Sequence, residues 1–200
     1  MNRACTVPAS DDMSATSAPR RRRGVRLSVV VAIFALAWSG PAAAQGVSGT
    51  ALKAAFLYNF AKFAEWPADV LAPGQKISLC VLGDNAVADA LERTIKGHSA
   101  ESHELTVQAI GADSPIRSCH LLYIGGLDVK GAIQLIEALN GASVFTVSDC
   151  DRFAELGGVA QLILESDRMR FAINVAAAQR ARLQLSSKLL SLATIVKDEH

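Results

Sequence analysis

Two glycine-containing turns follow apolar runs and precede predicted helices, a position at which α/β proteins often hold anions. Gly83-Asp84-Asn85 follows the run Ile77–Leu82, and Gly125-Gly126 follows Leu121–Ile124. Neither turn has the spacing of a nucleotide-binding loop, and Gly, Asp and Asn are ordinary turn residues. We therefore interpret both as structural turns, with anion binding as the alternative.

No metal site or nucleophile can be assembled from local spacing. His98, Glu101 and His103 lie close together, but their spacing is not that of a zinc site and a further ligand is missing. Ser186 and Lys188 suggest a serine–lysine pair, yet residues this close on a helix do not face each other. The sequence predicts no catalytic residues, no metal ligands and no cofactor, so we do not expect an enzyme.

A polar patch is predicted on a β-hairpin near the end of the chain. Residues 159–164 and 169–175 are apolar segments flanking a short polar turn. Alternation along the second segment places its apolar residues on one face and leaves Arg170 and Asn174 pointing outward, with Glu165 near the turn. These three residues are candidates for binding a partner or an anionic ligand. An exposed cross-strand ion pair is the alternative.

The first 44 residues have the pattern of an extended secretory signal peptide. Arg20–Arg26 is basic, Leu27–Trp38 is apolar, and Ala42-Ala43-Ala44 offers a small-residue cleavage site. The apolar run is shorter than the roughly 20 residues of a membrane-spanning helix, which is the alternative. We predict cleavage near Ala44-Gln45, export to the periplasm and one domain over 45–200.

Cleavage changes the net charge of the protein. Residues 1–44 contain six arginines and two aspartates, so the formal charge falls from +1 for the full chain to −3 for residues 45–200. The basic character therefore belongs to the export signal. This argues against a nucleic-acid-binding surface on the domain.

Export also decides how the cysteines are interpreted. Cys5 lies in the leader, so the domain keeps Cys80, Cys119 and Cys150. In an oxidising compartment, three cysteines favour one disulfide and one remaining thiol. Cys80 lies in a predicted buried strand and Cys119 just precedes another, so we predict a Cys80–Cys119 disulfide, with Cys150 as the thiol. Three separate buried thiols are the alternative.

The order of predicted elements indicates an α/β fold. Strands are predicted at 77–82, 105–110, 121–124 and 144–147, with helices capped by Asp84 or Asn85 and by Asp128. After the hairpin, a helix is predicted to begin at Ser186. We predict a single three-layer-like domain, in which helices flank a mixed sheet of about five or six strands and a C-terminal β-hairpin is followed by a helix.

Three helices carry apolar stripes that predict their buried faces. The helix over 52–67 ends at Pro67, because the residue before a proline is disfavoured in α conformation. Its predicted core face is Leu52, Phe56, Phe60 and Phe63, and its candidate partner contacts are Tyr58, Lys62 and Trp66. The helix after Asp128 carries Val129, Ile133, Ile136 and Leu139, and the last helix carries Leu189, Leu192 and Val196.

Two segments of the domain resemble signatures of the YfiR family of periplasmic proteins. KAAFLYNFAKFAEWP at 53–67 looks like the N-terminal signature, and RFAINVAAAQRARLQLSSKLLSLA at 170–193 looks like the C-terminal one. The resemblance covers nearly all of 50–196, including a strand that bears Cys80. The aromatic order ending in Trp-Pro is its most specific part.

The resemblance implies a regulator rather than an enzyme. YfiR-like proteins bind the periplasmic domain of an inner-membrane diguanylate cyclase of the YfiN type and hold it inactive, which lowers cyclic di-GMP and biofilm formation. An outer-membrane YfiB-like lipoprotein releases the cyclase, and family members are homodimers. A small-ligand-binding periplasmic sensor that works with another membrane receptor or histidine kinase is the alternative.

The resemblance also bears on the cysteines. Cys80 and Cys119 fit the first family disulfide in placement. The second family disulfide has at most Cys150 as a counterpart here. Redox control through that second bridge is therefore not expected.

Overall fold

A computed structural model describes residues 49–100, 103–165 and 168–198. The predicted signal peptide and its cleavage site lie outside the described residues, as do Glu101 and the hairpin turn at 166–167. Across the described ranges, no helix is long and apolar enough to cross a membrane.

The helices and strands follow the predicted alternation. The helices are α1 Gly49–Phe63, α2 Asn85–Ile95, α3 Val129–Ala138, α4 Val175–Arg180 and α5 Ser187–Leu190, with a short 3-10 turn at Ile116–Ser118. The strands are β1 Ala64–Glu65, β2 Ile77–Leu82, β3 Ser99–Ala100, β4 His103–Ile110, β5 Leu121–Ile124, β6 Phe145–Ser148, β7 Ala160–Glu165, β8 Arg168–Asn174, β9 Gln184–Leu185 and β10 Thr194–Val196.

In the part of the chain that the structure describes, eight strands form one mixed sheet in the order β10-β8-β7-β6-β5-β2-β4-β3. Within this order, the adjacent strands β7, β6, β5, β2 and β4 are all parallel to one another. Strand β8 runs antiparallel to β7. The mixed sheet with flanking helices confirms the predicted α/β class. The sheet is wider than predicted because β3 and β10 extend its two edges.

The order of strands reverses at β2. From β2 the chain passes through α2 to β4 on one side, then returns to β5 on the other side and continues through α3 to β6. In sheets of this kind, ligands commonly bind at the reversal, outside the carboxyl ends of the two central strands. In this protein those are the carboxyl ends of β2 and β5.

Helices cover both faces of the sheet, which explains the continuous apolar runs of the central strands. On β5, Leu121 and Tyr123 pack in the cluster that contains the buried residues of α1 and α2. Leu122 and Ile124 pack on the other face, with Ala132 of α3. All four strand residues are fully buried.

The buried face of α1 differs in part from the predicted stripe. Phe60 is fully buried, as predicted, and its ring stacks on Phe145 at 5.4 Å between centroids. The other predicted core residues, Leu52, Phe56 and Phe63, are only half-buried. Residues of the neighbouring stripe complete the buried face instead: Ala54, Leu57 and Ala61. Small residues suit this position because α1 packs against α2 as well as the sheet.

The end of α1 was predicted too late. The helix ends at Phe63 rather than at Pro67. Ala64 and Glu65 pair with Leu185 and Gln184 of β9, and this ladder requires extended backbone. A contact between distant parts of the chain therefore ends the helix before the proline can.

The predicted stripe on α3 is correct only in its second half. Leu139 is buried, as predicted, and Ile136 is half-buried. Val129 and Ile133 are instead 41% and 37% exposed. The small Ala132, which the prediction left out, is fully buried and allows the helix to lie close to the sheet.

The predicted long C-terminal helix was also wrong. Only one turn, α5, follows the cap at Ser186, whose Oγ accepts a hydrogen bond from Leu189 N at 3.2 Å. The next residues form β10, which pairs in parallel with β8. Leu192 of the predicted apolar stripe is 72% exposed. Pairing with the sheet overrides the helical spacing here.

Candidate functional site

Three strand ends and one helix bring four polar side chains together. Asp84 follows β2, Tyr123 lies in β5, and Asp149 follows β6. Because these strands are parallel neighbours, their carboxyl ends share one edge of the sheet. Lys53 reaches this edge from α1. We call Lys53, Asp84, Tyr123 and Asp149 the strand-end cluster.

Lys53 is the centre of the strand-end cluster. Its Nζ lies 2.6 Å from Asp149 Oδ2 and 3.8 Å from Asp84 Oδ2, and 5.7 Å from the centroid of the Tyr123 ring. The lysine and both carboxylates are mostly buried. One ammonium between two carboxylates leaves a formal charge of about −1, which disfavours a bound anion.

The Tyr123 hydroxyl is buried without a hydrogen-bond partner of standard geometry in the described part of the chain. Burial raises the pKa of this phenol, and the nearby carboxylates of Asp149 and Asp84 raise it further. The hydroxyl therefore stays protonated at physiological pH and is available as a donor. The carboxylate of Asp149 acts on this phenol through a hydrogen bond as well as through its charge, although the geometry of that bond falls outside the standard limits.

The two glycine turns of the sequence pack against each other at this site. Gly83 has φ +80°, and a Cβ on it would lie 2.4 Å from the carbonyl oxygen of Gly125. A Cβ on Gly125 would lie 3.5 Å from the Tyr123 hydroxyl and 3.0 Å from Asp84 Cβ. The close approach explains the glycines structurally, and the negative cluster beside them argues against the anion-binding alternative.

The strand-end cluster suits binding better than catalysis. It combines a charge pair with a neutral donor but contains no nucleophile beside a general base. Among the described residues, no group of three or more His, Cys, Asp or Glu side chains is arranged to hold a metal ion. A small polar or cationic group is the ligand that this chemistry fits best.

Three residues on or after α1 were predicted to contact a partner, and for Trp66 this prediction is wrong because its side chain is buried. It is 8% exposed, and its Nε1 donates to the carbonyl oxygen of His120 at 3.1 Å. Its ring lies edge-on to the His120 ring. These two contacts of Trp66 therefore link the segment after α1 to His120, the residue before β5.

The other two predicted contacts on α1 differ in exposure. Tyr58 is half-buried, and its hydroxyl lies 3.5 Å from the carbonyl oxygen of Ser99. Lys62 is exposed, with its Nζ 5.7 Å from the centroid of the Phe63 ring. They stand one helical turn apart, so both remain candidate contacts on one side of α1.

The predicted polar patch on the hairpin does not exist as a set of three. Glu165 and Arg170 are exposed and 3.6 Å apart, as the alternative of a cross-strand ion pair expected. Asn174 was predicted to point outward but is fully buried. Its Oδ1 caps α4 by accepting from Ala177 N at 2.9 Å. Alternation fails at this end of β8 because both faces of the strand are covered.

The disulfide joins Cys80 to Cys119, the pair that the sequence favoured, with a Cα–Cα distance of 5.9 Å. It joins β2 to the segment just before β5, on the α3 side of the sheet. Cys150 is buried in the same apolar cluster and is not part of a disulfide.

Sequence reasoning singled out Asp84 but missed Lys53, Tyr123 and Asp149. Lys53 and Asp149 are 96 residues apart, so no local spacing joins them. The signal that was available is topological. Polar residues just after the carboxyl ends of parallel strands in one sheet, here Asp84 after β2 and Asp149 after β6, lie at the same edge of that sheet.

Comparisons with known proteins point to one family. A family model described as YfiR/HmsC-like matches residues 50–194. A crystal structure described as a conserved domain protein from Vibrio cholerae O1 biovar El Tor strain N16961 is 14% identical, with a TM-score of 0.45. The match covers 76% of this chain and 60% of that chain, so this chain spans about three-fifths of the length of that protein.

Proposed function

Because the chain belongs to the YfiR/HmsC-like family, we propose that it is a periplasmic regulator that binds the periplasmic domain of an inner-membrane diguanylate cyclase. Binding holds the cyclase inactive and so lowers cyclic di-GMP and biofilm formation. The family match over residues 50–194 is the observation that carries this proposal. A homodimer and release by an outer-membrane YfiB-like lipoprotein belong to the same proposal.

Regulation of this kind needs a binding surface but no catalytic residues. A protein shifts the equilibrium of its partner only by its difference in affinity for the active and inactive states. The strand-end cluster, which lacks a nucleophile–base pair, is consistent with this mode of action. The signal-peptide pattern before residue 45 supports the proposed compartment.

The strand-end cluster favours a second candidate function, a sensor that binds a small polar or cationic ligand. The Tyr123 hydroxyl, which has no hydrogen bond of standard geometry among the described residues, lies at the reversal of strand order, where ligands of α/β proteins commonly bind. Binding there would require the ligand to accept a hydrogen bond from Tyr123. A thermal-shift screen of amino acids and amines supports this candidate if one compound stabilises the wild type and not Tyr123→Phe.

Deletion of the gene tests the regulatory function in cells. Loss of the repressor is expected to raise cellular cyclic di-GMP, and the full chain supplied on a plasmid restores the original level. A chain lacking residues 1–44 serves as the matched control, because it keeps the whole domain but loses the predicted export signal. Unchanged cyclic di-GMP after deletion, or full restoration by the leaderless chain, would contradict a repressor that acts in the periplasm.

A further inference from the structure

Three polar side chains meet at one end of a groove between α3 and α4. Arg180 holds the carboxylate of Asp198 with both terminal nitrogens, Nη1 on Oδ2 and Nη2 on Oδ1 at 3.2 Å. Asn174 Nδ2 donates to Oδ1 of the same carboxylate. A fork of two N–H groups with a third donor beside it is the geometry that recognises carboxylates in proteins.

The amide of Asn174 is fixed before any carboxylate arrives. The side chain is 0% exposed, its Oδ1 accepts from Ala177 N at 2.9 Å, and its Nδ2 donates to the carbonyl oxygen of Ala154 at 2.8 Å. These two bonds leave one amide proton, which points at Asp198. The donor is therefore held in place by the core of the domain rather than by its ligand.

The groove next to this site is largely apolar and has a volume of about 450 Å³. Its walls carry Ile136, Leu139 and Leu156 in addition to Arg180 and Asp198. Glu137 also lines the groove and disfavours a run of acidic residues along it. A segment with a single carboxylate next to an apolar side chain is the complement of these walls.

Asp198 occupies the site from the end of the described chain. It follows β10 by two residues, and the intervening Lys197 is exposed. Arg180 is half-exposed, so the guanidinium is accessible from solvent. If Asp198 withdraws, the buried amide proton of Asn174 loses its acceptor, which favours the entry of another carboxylate.

We propose that this groove is a docking site for a segment of a partner protein that presents one aspartate or glutamate beside an apolar side chain, and that Asp198 occupies the site as an internal competitor. The proposal deepens the proposed function, on which it rests for the existence of a partner. A tethered competitor acts at a high effective concentration. The apparent association constant for the partner is then the intrinsic constant multiplied by the fraction of time for which the site is open.

Peptide titration of the exported, processed protein tests the site without any cyclase. The probe is a blocked pentapeptide with a central aspartate between two leucines, and its matched control carries asparagine instead. Calorimetry measures both peptides against the wild type, Asp198→Ala and Arg180→Gln. Lys197→Ala is the control for a substitution next to Asp198. Arg170→Gln is the control for the loss of an arginine charge, because Arg170 belongs to a different, exposed ion pair.

We expect Asp198→Ala to bind the aspartate peptide about tenfold more tightly than the wild type, because the site is then permanently open. The wild type should bind the asparagine peptide at least about tenfold more weakly than the aspartate peptide. Arg180→Gln should bind the aspartate peptide at least about tenfold more weakly than the wild type does, whereas Lys197→Ala and Arg170→Gln should bind it with the affinity of the wild type. Equal binding of both peptides, no gain in Asp198→Ala, or no binding to any variant would overturn the proposal. Failure here leaves the cyclase assays unaffected, so the two claims are separable.

Discussion

Lys53 of the first helix and Asp149 after the sixth strand form an ion pair across the end of the sheet, with 2.6 Å between Nζ and Oδ2. The pair joins residues 96 positions apart and is mostly buried. Asp84 lies 3.8 Å from the same ammonium. The lysine therefore holds together two strand ends whose carboxylates would otherwise repel each other.

Replacing Lys53 by Met should lower the free energy of unfolding by about 1–3 kcal/mol, because two mostly buried carboxylates lose their counter-charge. Urea denaturation of the purified domain measures the difference. Lys62→Met is the matched control, since Lys62 lies on the same helix but is exposed. That control should change stability by no more than about 0.5 kcal/mol. Equal effects of the two variants would mean that the ion pair contributes nothing specific.

Gly83→Ala should destabilise the domain considerably more than Gly74→Ala. Both glycines have nearly the same positive φ, +80° and +82°, so both variants carry a similar backbone penalty of about 1–2 kcal/mol. Only the Cβ at position 83 meets another group, the carbonyl oxygen of Gly125 at 2.4 Å, whereas position 74 has open space. Thermal and urea unfolding give the comparison. Similar losses for both variants would show that the two turns do not press on each other.

Removal of the Cys80–Cys119 disulfide should cost about 4 kcal/mol in the chain-entropy model, because the bridge closes a loop across 39 residues. The measurement is urea unfolding of Cys119→Ser against the oxidised wild type. Non-reducing peptide mapping of the exported protein should show Cys80 linked to Cys119. Cys150→Ser is the control and should leave that link intact. A Cys80–Cys150 or Cys119–Cys150 peptide would contradict the pairing.

His120 should make the stability of the domain depend on pH near neutrality. Burial lowers the pKa of this imidazole below its ordinary value of 6.5, a nearby backbone carbonyl opposes that shift, and His103 adds to it. Its Nδ1 also accepts a hydrogen bond from Ser78 N at 3.0 Å, which requires an unprotonated nitrogen.

The unfolded chain therefore binds more protons than the folded chain as pH falls through 6.5, so this contribution to stability is lost towards acid pH, at no more than about 1.4 kcal/mol per pH unit. Unfolding free energies at about pH 7.5 and 5.5 measure this slope. His120→Gln should flatten it, whereas His98→Gln at an exposed position should not. A slope unchanged by His120→Gln would assign the pH dependence to other groups.

Local patterns in the sequence were sufficient for the centre of the fold. The runs at 77–82 and 121–124 form strands with the predicted bounds, because strands covered on both faces are apolar throughout and end at glycine turns. Asp84 and Asp128 cap α2 and α3, since a short acidic side chain satisfies the first N–H groups of a helix wherever it stands.

Contacts between distant segments decided what the local patterns missed. The apolar spacing that includes Leu192 fits a helix, but residues 194–196 form β10 and pair with β8 instead. Asn174 was assigned to solvent by strand alternation, which fails because α4 and Asp198 cover it. The strand-end cluster depends on strand order, which no single segment contains.

The most direct test of the regulatory account is the rate of cyclic di-GMP formation by an inner-membrane diguanylate cyclase of the same organism that has a periplasmic domain, purified in nanodiscs with both faces accessible. Addition of the exported, processed protein is predicted to lower that rate several-fold and to saturate near equimolar amounts. The same protein, reduced and unfolded, is the control and should leave the rate unchanged. A cyclase rate that the folded protein does not lower at any ratio would contradict repression by direct binding.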